Sequence, residues 1–552
     1  MRPETLPAAI PDSRGINLFE VDSGFSSLLK IHLGEKLHAH LLPHFQKLGA
    51  MAGSELDVLA ATADKNPPVL HHRTRSGEDW QSIEKHPAYR RLEEVAFGEY
   101  GLAAMSHRGG VLGWPEPLPP AAKYALTYLY VQAEFGVCCP LSMTDALART
   151  LSKFGSPELV ARHLPGLTSQ DFDTLTQGAM FMTEQGAGSD VGATATRAVR
   201  EGDAWRLYGD KWFCSNADAG VALVLARPEG APPGTKGLSL FLLPRFLEDG
   251  KANGFRIIRL KDKLGTRGMA SGEIRLEGAL AHLVGDPQRG FVQMADMINL
   301  SRLSNGMRAA GMMRRALTEA LFVARNRMAF GKRLVDMPLM QRQLLKMMLA
   351  TEAARSVLFF TASRLFEADR GDAVAQRQVR ILTPLLKFRA CRDARKVTGD
   401  AMEVRGGCGY IEEWSDARLL RDAHLGSIWE GTSNIVALDV LRAIRKEDAL
   451  DALPFTDPLF LRAGTFARQA TDENARQAAT GLYYAVAAAI LRQEGDALAK
   501  AGDARRLLIA RLAEEHKLAP RDPLAAAKDC PFAEALLSEE KLPLQTVKGF
   551  LI

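Results

Sequence analysis

The run Trp429-Glu430-Gly431-Thr432-Ser433-Asn434 sets one carboxylate between a bulky indole and a glycine, just before a helical pattern resumes. It follows Gly406-Gly407-Cys408-Gly409-Tyr410 and Arg421-Asp422. Gly431 leaves room for a large planar ligand to approach the backbone, while Thr432, Ser433 and Asn434 are residue types that cap a helix and form hydrogen bonds. The spacing suits a proton-abstracting base beside a cofactor. An isolated Glu-Gly-Thr is better read as a capping acid at a helix start, where the dipole favours negative charge. That alternative stays open on these residues alone.

Three more segments could do chemistry, and they come in a fixed order: Met182-Thr183-Glu184-Gln185-Gly186-Ala187-Gly188-Ser189-Asp190-Val191, then Gly209-Asp210-Lys211-Trp212-Phe213-Cys214-Ser215-Asn216, then Arg327 to Gly331. Alone, Gly186-Ala187-Gly188-Ser189 is a weak turn signal. It is not a dinucleotide-binding fingerprint, because the glycine spacing and a following βαβ unit are absent. Together with the Glu430 run, these segments resemble the acyl-CoA dehydrogenase superfamily over approximately residues 80–442. Several motifs in order are more specific than any one of them. Asn66-Pro67-Pro68, Cys139 to Thr144, Pro244 to Leu247, Arg259 to Gly265 and Ser427 to Asn434 further resemble the AidB-type branch of alkylation-response flavoproteins.

The resemblance implies FAD as cofactor, with Met182, Thr183 and Ser189 along the flavin. Phe213 stands where the family commonly carries Trp against the ring, and Ser215 takes the adjoining hydroxyl position. Phe keeps the wall and loses an indole donor. A buried strand is the alternative for Trp212 and Phe213. Arg327, Phe330, Gln341, Gly406 and Gly407 match positions that reach the flavin nucleotide of a neighbouring subunit, which implies an obligate oligomer, a homotetramer. Glu403 departs from the usual Gln, and beside a diphosphate it would be repelled unless paired or solvated. Ile428, Trp429, Gly431, Thr432 and Asn434 complete the expected cofactor set.

Glu430 matches the family's base, which removes the α-proton of an acyl-CoA thioester while a hydride leaves the β-carbon. Trp429, where relatives often carry Tyr, narrows the acyl pocket and favours short or branched chains, with weak turnover. The resemblance therefore implies a 2-enoyl-CoA-forming dehydrogenase, with a small acyl-CoA thioester as substrate and double-stranded DNA as a partner in alkylation response. A metabolic short- or branched-chain dehydrogenase without DNA function is the alternative, and a nucleic-acid binder keeping FAD structurally is a third reading. The electron acceptor is left open.

The surrounding chain must hold these segments in place. Its 552 residues, 47% hydrophobic, exceed what one compact core organises, so several domains are expected. The expected fold is α+β and mainly α: an N-terminal helical domain over 1–177, a middle antiparallel β domain over 178–285, a helical-bundle domain over 286–442, and a C-terminal helical extension over 443–552 as a possible DNA-binding region. Helical periodicity (Leu92, Val95, Ala96, Tyr100) gives way to short β-rich runs from Trp205 to Leu276, then returns with Leu317, Leu321, Ala324 and Met328 on one face and Gly331 as the stop. Pro338 opens the next helix.

Six cysteines without a repeated C-x-x-C spacing read as reduced thiols of a cytoplasmic protein, and twelve histidines show no ligand spacing, so no metal site is expected. His71-His72 reads as a solvated loop pair. Met1 to Gly15 resembles neither a signal peptide nor an anchor. Leu482 to Leu491 is about half of the roughly 20 residues needed to span a bilayer and reads as a buried helix. Net charge is +5, with a surplus of roughly ten positive charges between Arg302 and Asp422 of the kind that attracts polyanions. Arg505, Arg506 and Arg511 are the candidate phosphate contacts in the extension, a solvated helix face being their alternative.

Overall fold

The computed structural model describes residues 10–202, 204–520, 522–526 and 530–551, so the expectation for Met1 to Gly15 lies mostly outside it. Six helices build the N-terminal part: α1 (Phe25–Ala52), α2 (Glu55–Lys65), α3 (Pro87–Glu93), α4 (Pro120–Tyr130), α5 (Cys138–Phe154) and α6 (Pro157–Leu167). Capping fixes the last of these, because the Ser156 hydroxyl accepts the Leu159 N–H at 3.4 Å and Pro157 takes the first turn. One departure from the helical expectation is a hairpin of β1 (Val69–Arg73) and β2 (Asp79–Glu84). Gly77, at φ +92°, makes its turn, and His71 meets Glu84 across the strands at 2.8 Å, so the histidine pair sits on a strand.

Seven strands form the middle part: β3 (Gly178–Phe181), β4 (Arg197–Glu201), β5 (Ala204–Ser215), β6 (Val221–Pro228), β7 (Ser239–Pro244), β8 (Phe255–Leu260) and β9 (Ser271–Val284). Their pairings run in a ring, β6–β4–β5–β9–β7 and back to β6, with β3 added on β6 and β8 on β9. Most are antiparallel, as expected. The pairings of β3 with β6 and of β4 with β6 are parallel, so the sheet is mixed. Alternation along β9 buries Ile274, Leu276, Ala279 and Ala281 in a core separate from that of the helices.

The chain then runs through α7 (Gly290–Asn326), the short ribbon of β10 (Met328–Ala329) and β11 (Lys332–Arg333), α8 (Pro338–Asp369), α9 (Ala373–Arg405), α10 (Ser415–Leu425) and α11 (Ser433–Glu447). After these come α12 (Pro458–Gln469), α13 (Ala475–Ala499), α14 (Arg505–Ala513), α15 (Ala533–Ser538) and α16 (Leu544–Leu551). Helix α7 stops before Met328, because Phe330 and Gly331 both turn at positive φ to make the ribbon. Helices α7, α8 and α9 pack side by side, and the alanine-rich α13 lies across α8 and α9. Leu482 to Leu491 is buried throughout, and no helix among the described residues is long and apolar enough to cross a membrane.

Much of the positive surplus is consumed inside the fold. Arg355 bonds Asp22 at 2.5 Å, Arg405 bonds Asp416 at 2.6 Å, and Arg418 bonds Asp57 at 2.7 Å, all with little exposure. The extension repeats the pattern and, for Arg505 and Arg506, overturns the phosphate-contact expectation. Arg505 is buried against Asp503 at 2.7 Å, and Arg506 against Glu352 and Glu494 at 2.7 Å each. Arg511 pairs with Glu515 at 3.2 Å. Arg505 and Arg506 tie elements together inside the fold, whereas Arg511 stays partly exposed in its i,i+4 pair. All six cysteines are free thiols, and among the described residues no cluster of His, Cys, Asp and Glu could hold a metal ion.

Candidate active site

Glu430 lies in the loop between α10 and α11, at φ +54°, a conformation costly for a side-chain-bearing residue. The neighbours hold that backbone. Arg302 Nε donates to the Glu430 carbonyl at 2.9 Å, and Lys387 Nζ donates to the Gly431 carbonyl. Gly431 itself sits at φ +104°, where a Cβ would come 3.1 Å from Val436. Arg302 is fixed in turn by Asp439 at 2.8 Å, which also receives Arg380. Burial pushes the Lys387 amine below its usual range.

The carboxylate does not cap α11. Ser301 Oγ donates to Glu430 Oε1 at 2.6 Å and Asn305 Nδ2 donates to Oε2 at 3.2 Å, both from α7. Thr432 is the N-cap of α11, without a side-chain capping bond. The capping alternative is thereby replaced by a carboxylate oriented from a second helix. The Glu430 N–H has no acceptor among the described residues.

Ser301, Asn305 and Arg308 recur at i, i+4 and i+7 and so share one face of α7. Arg308 is fully buried, with Nε on the Ser304 carbonyl at 3.3 Å and both terminal nitrogens unpartnered. Its guanidinium lies 4.7 Å from the centre of the Trp429 ring and 5.3 Å from that of Phe135. Phe135 stacks on Trp429 at 5.9 Å and 18°. Phe135 leads into the start of α5, where burial, helped by the Glu430 charge, pushes the Cys139 thiol up to about 11 against the pull of Arg308.

On that strand Phe213 is 56% exposed, so the buried-strand alternative fails for it. The Lys261 ammonium sits 3.5 Å from the Trp212 ring centre and 4.9 Å from that of Phe213. The Trp212 N–H donates to the Thr183 carbonyl at 2.8 Å, which docks the Met182 to Val191 loop against β5. Met182 and Thr183 are half-buried, Ser189 is exposed, and Cβ atoms on Gly186 or Gly188 would meet nothing. Ile428 is 59% exposed, and Thr432 and Asn434 are exposed beside it in sequence. Apolar faces at Phe213 and Ile428, a glycine loop open to solvent and hydroxyls at Ser215 and Thr432 fit the needs of a flavin.

The remaining expected residues gather elsewhere. Arg327 NH1 donates to the Arg405 carbonyl at 3.0 Å, next to Gly406, and Gly407 faces open space. Glu403 approaches Gln343 at 3.4 Å, so it has a partner. Phe330 is 96% exposed, and Leu339 and Tyr410 are similarly bare, with Gln341 half-buried on the first turns of α8. Between Arg302 at the Glu430 loop and the end of α7 beside Arg327, helical rise gives about 36 Å, longer than a flavin dinucleotide. Within one chain, Glu430 and Arg327 belong to different ends of the bundle.

Reading motifs alone missed Ser301, Arg302, Asn305, Arg308 and Phe135. The signal was a polar stripe at helical spacing on an otherwise apolar helix, which marks buried side chains with partners or tasks.

Residues 9–174 match the family profile of the adaptive response protein AidB N-terminal domain, 179–279 that of the acyl-CoA dehydrogenase middle domain, and 288–445 that of the acyl-CoA dehydrogenase C-terminal domain. The chain is 36% identical to the AidB protein of Escherichia coli (strain K12), over 73% of each chain. It is 33% identical to acyl-CoA dehydrogenase family member 11 of Caenorhabditis elegans, over 79% of this chain and 72% of that one. The structure of Caenorhabditis elegans ACDH-11 in complex with C11-CoA superposes with a TM-score of 0.83 at 28% identity, covering 95% of both chains. The chain belongs to the acyl-CoA dehydrogenase family and is an FAD-dependent oxidoreductase.

Proposed function

We propose that the chain oxidises a short or branched acyl-CoA thioester to its 2-enoyl-CoA, with Glu430 as the base. The observation that carries this reading is a carboxylate held on both oxygens by Ser301 and Asn305, on a backbone of positive φ that directly follows the Arg308–Trp429 contact. FAD would be held by Met182, Thr183, Ser189, Phe213 and Ser215 on one side and by Ile428, Trp429, Gly431, Thr432 and Asn434 on the other. Bound FAD supplies the acceptor for the β-hydride. Glu430 takes the α-proton, and the electrons of that C–H bond become the new C=C bond as the hydride leaves. The Glu430 N–H donates to the thioester carbonyl, which makes the α-proton acidic enough for a carboxylate to remove. Anaerobic addition of isovaleryl-CoA should bleach the yellow protein. No bleaching by any acyl-CoA from four to twelve carbons would overturn the reading.

The C11-CoA complex of the Caenorhabditis elegans relative favours longer chains as a second reading, whereas the Arg308–Trp429–Phe135 stack favours short ones. Comparing isovaleryl-CoA with undecanoyl-CoA in the same bleaching experiment decides between them. We also propose that Arg327, Phe330, Gln341, Gly406 and Gly407 serve the flavin of a second copy in a homotetramer, supported by the 36 Å estimate and the bare apolar side chains around Phe330. Phe330→Asp should yield smaller assemblies that shed FAD.

The third part of the proposal is association with duplex DNA in alkylation response, supported by the AidB-type N-terminal match and likeness to AidB. Since Arg505 and Arg506 are committed to internal ion pairs, the DNA surface would be assembled from other cations across copies, the extension over 443–552 included. Retardation of duplex DNA that weakens steeply with salt would support it, and absence of binding by the FAD-loaded oligomer at low salt would remove it.

A further inference from the structure

Arg308 differs from the other deeply buried arginines of the bundle in having no anion to pair with. Arg314 meets Glu539 at 2.6 Å, Arg315 meets Glu319 at 2.8 Å, and Arg405 meets Asp416 at 2.6 Å. Arg308, at 0% exposure, meets no carboxylate among the described residues, and its one bond runs from Nε to a carbonyl of its own helix. The base does not serve it, because Ser301 and Asn305 take up both Glu430 oxygens. Nor do the neighbouring thiols. Burial pushes Cys138, Cys139 and Cys391 upward against the pull of Arg308, so all three stay protonated at neutral pH.

The indole beside it has the same need. Trp429 Nε1 is buried without an acceptor, as are NH1 and NH2 of Arg308, so two side chains in contact hold three unpartnered donors. The ring faces of Trp429 and Phe135 offset only part of the cost of an unpaired buried charge, and a plain hydrocarbon chain would leave that cost as it is. A carboxylate has two acceptor oxygens, matches the guanidinium fork, and keeps lone pairs for the indole N–H. The cluster is also close to the base: Asn305 holds Glu430, and Arg308 follows three residues later on the same face of α7, a rise of about 4.5 Å.

We propose that Arg308 selects an acyl group that ends in a carboxylate, so that the preferred substrate is the mono-CoA thioester of a short dicarboxylic acid. The small rise from Asn305 to Arg308 suits an acid of about five or six carbons. Trp429 covers the guanidinium; its ring is half-buried and nothing accepts from its Nε1, so it can turn aside to admit the carboxylate. Such selection rests on Glu430 acting as the base of the proposed oxidation, and it concerns the far end of the acyl chain only.

The test is calorimetric titration of FAD-loaded protein with glutaryl-CoA, adipyl-CoA, valeryl-CoA and isovaleryl-CoA, for wild type, Arg308→Met and Arg308→Lys. Met keeps an unbranched stem and removes the charge, whereas Lys keeps a charge and lacks the fork. Wild type should bind the better of the two carboxylated thioesters at least about ten-fold more tightly than valeryl-CoA, as a charge-assisted bond to an otherwise unpaired group requires. Arg308→Met should abolish that preference with valeryl-CoA affinity kept, and Arg308→Lys should retain part of it. Circular dichroism and FAD content serve as fold controls, and the wild-type comparison is decisive even where a variant does not fold. Wild type that binds valeryl-CoA as tightly as both carboxylated thioesters would overturn the proposal, as would a carboxylate preference that survives in folded Arg308→Met. Binding is read apart from flavin bleaching, so an Arg308-dependent preference without any flavin reduction would strike the proposed function and leave this subsite standing.

Discussion

The Arg308 guanidinium lies 4.7 Å from the centre of the Trp429 ring, one residue before Glu430 in the chain. Arg308 has no anionic partner for its terminal nitrogens, and the Trp429 Nε1 donor is likewise buried without an acceptor. The ring faces of Trp429 and Phe135 offset part of the cost of burying that charge. Arg308, Trp429 and Phe135 are thus in mutual contact, and Glu430 follows Trp429 directly in the chain.

The first prediction is that Trp429→Tyr widens the acyl path. Tyr is smaller, keeps an aromatic face for Phe135, and gives up roughly 1 kcal/mol of cation–π contact with Arg308. The ratio of flavin reduction rate by octanoyl-CoA to that by isovaleryl-CoA should rise about ten-fold, a gain of the size one or two methylenes contribute in a pocket. Stopped-flow bleaching measures it. An unchanged ratio would show that Trp429 does not limit chain length.

Glu430→Gln should lower thioester-driven flavin reduction by about 10³-fold, within the range expected for a lost general base. Ser301 and Asn305 can still bond the amide, so FAD content and assembly should match wild type. Reduction at the wild-type rate would remove Glu430 from the role. Reduced FAD content would instead show that the carboxylate organises the loop.

What the sequence made legible follows from how local each signal is. Helix α8 opens at Pro338, and Leu482 to Leu491 is buried, because proline geometry and apolar periodicity act within a few residues. The parallel pairing of β3 with β6 was not legible, since it depends on where strands meet in space. The ribbon at Phe330-Gly331 was masked by the helical stripe running into Met328. Glu430 stood out by type and neighbours, yet its partners Ser301 and Asn305 lie more than a hundred residues earlier and carry no local motif. Arg505 and Arg506 misled for the opposite reason: charge is visible in a sequence, and the distant carboxylates that consume it are not.

The third prediction concerns Glu134, whose Oε1 accepts the Val137 N–H at 3.2 Å beside the start of α5. Burial pushes its carboxyl up to about 7 from an ordinary 4.5, against the pull of Arg418. Because the folded state holds this proton more tightly, the stability it contributes is full below pH 4.5 and is lost as pH rises through 7. Gln at this position keeps an oxygen for the Val137 N–H and never ionises. Glu134→Gln should thus match wild type near pH 4.5 and gain on it up to pH 7–8, by an advantage on the order of 2–3 kcal/mol at most. Chemical denaturation at pH 5, 6, 7 and 8 reads the difference, and a constant difference across that range would contradict it.

The last prediction separates internal ion pairs from surface charge in the extension. Arg506 donates from Nε to Glu494 at 2.9 Å and from NH1 to Glu352 at 2.7 Å, and Glu494 also takes Ser356 at 2.6 Å and His32 at 3.1 Å. Burial pushes the Glu494 carboxyl up, but Arg506 and His32 outweigh it and hold it at about 2. Its stabilising contribution is therefore present above pH 4.5 and lost as pH falls through 2. Arg506→Ala at neutral pH leaves buried Glu494 without its arginine and Glu352 with Arg355 alone, and should cost about 3–5 kcal/mol, loosening α14 from α8 and α13. Arg511→Ala breaks only a partly exposed i,i+4 pair with Glu515 and should cost about 0.5 kcal/mol or less. Thermal melts followed by circular dichroism would show a large drop for the first variant and almost none for the second. If Arg506→Ala melted like wild type while losing duplex DNA retardation, Arg506 would be a phosphate contact after all, and the ion-pair assignment would fall.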